Sequence, residues 1–134
     1  LNLLFENFIH YLENLKIKYR TIEETEGVTV DIENELCKNA EMTFLFSKDK
    51  DDYKVNIILT TNMRKLSKKE IEAMMAEVRS LNRITPYRQY NIRDIENLEL
   101  KSILYIKEPS DVKVIYRTIN SMLLDFYARF KDVV

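Results

Sequence analysis

Residues 41–62 read EMTFLFSKDKDDYKVNIILTTN, and their pattern decides the fold. Met42, Phe44 and Phe46 alternate with Thr43 and Leu45; after a charged stretch, Val55, Ile57 and Leu59 alternate with Asn56 and Ile58. A period of two is that of a pleated strand, whose successive side chains point to opposite faces. Two such arms flanking Ser47 to Asp52 predict a hairpin with one strongly apolar face, and that face needs helices to cover it.

Upstream, Leu4, Phe5, Phe8, Leu12 and Leu15 fall on one side of a helix, with Glu6, His10, Glu13 and Asn14 on the other. From about Lys18 the period becomes two. Tyr19 to Glu24 and Val28 to Asn34 flank Thr25-Glu26-Gly27 and predict a first hairpin, whose register stays open. A two-residue turn at Glu26-Gly27 pairs Arg20 with Glu33 and Lys18 with Glu35; a three-residue loop pairs Ile22 with Val30 and is preferred, because Glu-Gly suits a type I′ turn poorly.

Downstream, Ser67-Lys68-Lys69-Glu70 reads as a capping box opening a second helix, with Ile71, Met74, Met75, Val78 and Leu81 as its stripe and Pro86 beyond its end. Tyr87 to Arg93 and Leu98 to Lys107 predict two more strands joined through Asp94 to Asn97. Pro109-Ser110-Asp111 then stops the strand and is expected to cap the last helix. Ile115, Ile119, Met122, Leu123, Phe126 and Phe130 mark that helix's apolar face. The expected architecture is one α+β domain spanning 1–134, with a largely antiparallel sheet of about six strands and three helices, in the order α-β-β-β-β-α-β-β-α.

Composition limits function. The 134 residues are 46% hydrophobic and 32% charged with a formal net charge of -1, the profile of a globular chain. A single Gly excludes a glycine-rich phosphate loop and leaves the turns to rely on Asn and Asp. No apolar stretch approaches the roughly 20 residues of a membrane helix, so no membrane span is expected. Leu1 to Leu15 is too often interrupted by polar residues for a signal peptide. Cys37 is the only cysteine, so no intramolecular disulfide forms and a cytoplasmic location is expected.

The residues that could carry chemistry fare poorly. His10, the only histidine, sits on the polar face of the first helix, and Cys37 has no evident base beside it, so neither a general base nor a nucleophile is expected there. Asp49, Asp51 and Asp52 suggest a calcium loop, but Tyr53 and Lys54 stand where its fifth and sixth positions need an oxygen ligand and Gly. Asp31, Glu33 and Glu35 read as a solvated strand face. No catalytic residue, cofactor or metal is expected; an enzyme completing its site with another subunit stays a third class.

Residues 64 to 93 are locally basic, with Arg64, Lys65, Lys68, Lys69, Arg79, Arg83, Arg88 and Arg93 against Glu70, Glu72 and Glu77. Arg79, Arg83, Arg88 and Arg93, with Tyr87 and Tyr90 as stacking rings, form an alternative nucleic-acid contact set. A sequence pI near 6.0 lacks the basic signature of such domains and disfavours that partner.

A different surface follows from the strand alternation. If Met42, Phe44, Phe46, Val55, Ile57 and Leu59 face the helices, then Leu45 and Ile58 face the other way, as do Ile103 and Tyr105. Together they form a patch large enough for a second copy of the chain or another polypeptide, unless the first or second helix covers them.

The stretch Glu77-Val78-Arg79-Ser80-Leu81-Asn82-Arg83, leading into Thr85-Pro86-Tyr87, is similar to the second helix of the YbjN family, which ends in a Leu-Asn pair before the next strand. The order of elements across nearly the whole chain resembles that family and the wider type III secretion chaperone-like fold. The resemblance implies a non-enzymatic protein, frequently homodimeric, that binds another polypeptide or has a regulatory role, with no catalytic residues to carry over.

Overall fold

The computed structural model describes residues 2–32, 39–84, 88–94 and 97–132. Its elements are α1 (Leu3–Asn14), β1 (Arg20–Thr21), β2 (Gly27–Ile32), β3 (Ala40–Asp49), β4 (Asp52–Asn62), α2 (Lys68–Ile84), β5 (Arg88–Asp94), β6 (Asn97–Ile106) and α3 (Val112–Phe130). This is an α+β fold in the expected order. The strands form one antiparallel sheet in the spatial order β1-β2-β3-β4-β6-β5. The return of β6 to pair with β4 puts β5 at the edge.

The alternation in residues 41–62 produces the core. Met42, Phe44, Val55, Ile57 and Leu59 are fully buried, as are Leu98 and Leu100 on β6. Helix α1 lies against this face, with the Phe8 ring 4.8 Å from Phe44 and 5.6 Å from Phe46, and Phe5 5.3 Å from Phe46. The α3 stripe is buried as its spacing requires, and Phe130 meets Tyr90 on β5 at 5.1 Å. Leu15 and Met75, counted in the stripes of α1 and α2, are instead 46% and 44% exposed: Leu15 is the C-cap residue beyond the last turn of α1, and Met75 lies at the rim of the α2 apolar arc.

The ends of elements show what the sequence leaves ambiguous. Asn2 caps α1 by accepting from the Phe5 N–H at 3.0 Å, and the capping box of α2 forms, with Glu70 N–H on Ser67 Oγ and Ser67 N–H on Glu70 Oε1. The Arg64 guanidinium and these backbone bonds hold the Glu70 carboxyl down at about 2. Asp111 occupies the N-cap position of α3, but its side chain makes no capping bond, contrary to expectation. Among the described residues, positive φ falls on Lys16, Glu24, Asn39 and Lys50, so only one of these four is the Asn or Asp expected. Lys16 follows α1 in a Schellman arrangement, its N–H on Glu13 O and that of Ile17 on Leu12 O; those two bonds offset the strain of a left-handed residue with a side chain.

Neither expected register of the first hairpin occurs. Arg20 pairs with Thr29 and Thr21 with Val28, closed by Ile22 N–H on Gly27 O, so the loop is Glu23 to Glu26. This register lets Arg20 reach Asp31 at 3.0 Å and Glu41 at 3.2 Å. The second hairpin is tighter than expected, because Asp49 pairs with Asp52 and only Lys50 and Asp51 turn the chain.

Candidate interaction surface

The strand register sets the face opposite the helices row by row. Lys54 stands beside Ser47 and Tyr105; next come Leu45, Asn56 and Ile103; then Thr43, Ile58 and Lys101; then Glu41, Thr60 and Glu99. Strand β2 adds Gly27, Thr29 and Asp31 to the last three rows. All four residues expected on this face lie there. Leu45 and Ile58 are half-buried, whereas Ile103 is 38% and Tyr105 54% exposed, so no helix closes over the latter two. Around Leu45, Asn56, Ile58, Lys101 and Ile103 the surface dips into a hollow of about 330 Å³.

The patch is less continuous than its apolar members suggest, since Asn56, Lys54, Thr43 and Lys101 stand between them. Leu45 is sheltered by a feature missed in the sequence. A Cβ on Gly27 would lie 2.9 Å from Leu45 Cδ2 and 3.1 Å from Ile22 Cδ1, so the lone glycine allows Ile22 to close over the sheet beside Leu45. Gly27 is needed for close approach and has no positive φ.

The alternative nucleic-acid set is dispersed. Arg79 and Arg83 are exposed on α2, while Tyr87 and the side chain of Arg93 lie outside the described residues. Arg88 donates to Ser121 Oγ at 2.6 Å and lies 3.7 Å from Asp125. Tyr90, expected as a stacking ring, is only 2% exposed because it occupies an inward-facing position of β5 opposite Leu100. Its hydroxyl donates to Asp125 at 2.6 Å, and Arg129 meets the same carboxylate at 3.3 Å.

Burial, reinforced by the hydrogen bond to Asp125, raises the Tyr90 pKa well above its ordinary 10.0. The neutral phenol is the form the fold favours, so its contribution is complete below pH 10 and is lost as pH climbs through the raised value. In an ultraviolet phenolate titration, one late step is expected that is coupled to loss of structure and absent from Tyr90→Phe. Superimposable curves for the two proteins would contradict the burial.

Asn82 closes α2 onto β5. Its Nδ2 donates to Tyr90 O at 2.8 Å and its Oδ1 accepts from Tyr90 N–H at 2.7 Å, so one side-chain amide satisfies the backbone of an edge residue as a neighbouring strand would. The Leu-Asn pair flagged in the sequence thus has a physical role at that edge.

His10 is exposed, 4.0 Å from Glu13, while Cys37, Glu33 and Glu35 lie outside the described residues. Among the described residues no three His, Cys, Asp or Glu side chains gather as a metal-binding group, and no helix is long and apolar enough to cross a membrane.

No family model matches the sequence, and no curated protein matches it. Among solved structures the chain is similar to YbjN from E. coli, a candidate transcription regulator, with a TM-score of 0.54 and 8% identity over 96% of this chain and 93% of that one. At that identity the likeness is one of architecture, and the chain has a YbjN-like fold.

Proposed function

We propose that this chain is a non-catalytic interaction domain that pairs with a second copy through the far face of its sheet and acts in a chaperone-like or regulatory role. The observation that carries the reading is the exposure of Ile103 and Tyr105 beside the 330 Å³ hollow, on a face away from the core. Large side chains left in water on neighbouring strand positions lose solvation cost when a partner covers them. The description of the similar E. coli protein as a candidate transcription regulator fits a regulatory role. A cytoplasmic setting belongs to the same reading, supported by a sequence with one cysteine.

Size-exclusion chromatography with light scattering tests it. The expected species has twice the 16.1 kDa chain mass, and Ile103→Asp, which places a charge beside the hollow, shifts it to the monomer with an unchanged far-ultraviolet spectrum. A 16.1 kDa species alone at high micromolar concentration rules out the pairing.

A further inference from the structure

We draw no further inference here: the strongest candidate, the apolar groove of about 230 Å³ that Leu12, Ile17, Val30, Ile32, Ile119 and Leu123 line between α1, the end of β2 and α3, has its Asp31 already paired with Arg20 at 3.0 Å, and nothing in the structure shows what covers it.

Discussion

Phe44→Ala is expected to lower the unfolding free energy by about 3–5 kcal/mol, the range for truncating a fully buried aromatic ring. Phe44 has no exposed surface, sits mid-strand on β3 between β2 and β4, and packs its ring 4.8 Å from Phe8. The cavity would open where sheet and α1 meet, and neighbours anchored in hydrogen-bonded strands have little freedom to collapse into it. In urea melts with a slope of about 2 kcal/mol per molar, the midpoint falls by roughly 1.5–2.5 M. Leu124→Ala on α3 serves as the control. Leu124 is 61% exposed, and its loss should stay within about 0.5 kcal/mol. Because Phe8 and Phe44 share one contact, Phe8→Ala and Phe44→Ala together should cost less than the sum of the two by roughly 0.5 kcal/mol or more. A Phe44→Ala midpoint within a few tenths of a molar of wild type would mean that the ring is not held in a packed core.

That Phe44 is legible as a core residue reflects what periodicity can encode. Met42, Phe44 and Phe46 against Thr43 and Leu45 specify which side of a strand is dry, whatever the strand pairs with. The same local rule gave the stripe of α3, the capping box at Ser67 and Glu70, and the four apolar residues of the far face. Register and neighbours are set by contacts distant in sequence. The first hairpin shows the difference: Gly27 looked like a turn residue, but the turn puts its positive φ on Glu24 and uses the glycine to admit Ile22 beside Leu45. Leu45 belongs to β3, and nothing local to Gly27 announces it. Tyr90 departs from its expected place for a similar reason. A tyrosine among arginines reads as a nucleic-acid surface until the strand order puts β5 next to β6, where Tyr90 opposes Leu100 and turns inward to Asp125. The apolar members of the candidate surface were thus legible, whereas Asn56, Lys54 and Lys101, which divide it and give it a charge pattern, became visible only through the pairing of β4 with β3 and β6.

Asn82→Ala is expected to cost about 1–3 kcal/mol, and to change association as well as stability. The substitution takes away two hydrogen bonds at once, leaving the N–H and C=O of Tyr90 unpaired in a part-buried seam between α2 and β5. An unsatisfied donor in such a place carries most of its desolvation penalty, which exceeds the modest net worth of an ordinary hydrogen bond. Helix propensity works the other way, because Ala favours a helix interior over Asn by a few tenths of a kcal/mol, too little to offset the loss. The amide also stands where a further strand would pair, so its removal uncovers a β5 edge that can recruit another chain. Faster amide exchange at Tyr90 and slow, concentration-dependent growth of larger species are therefore expected alongside the lower urea midpoint. Asn82→Gln separates the two consequences. It keeps the amide but moves it by one methylene, so stability should remain reduced while the edge stays shielded. If Asn82→Ala loses stability with no change in Tyr90 exchange, the energy resides in the packing of Leu81 and Val78 beneath α2 rather than in the amide. Unaltered exchange and unaltered stability together would mean that α2 holds β5 without Asn82.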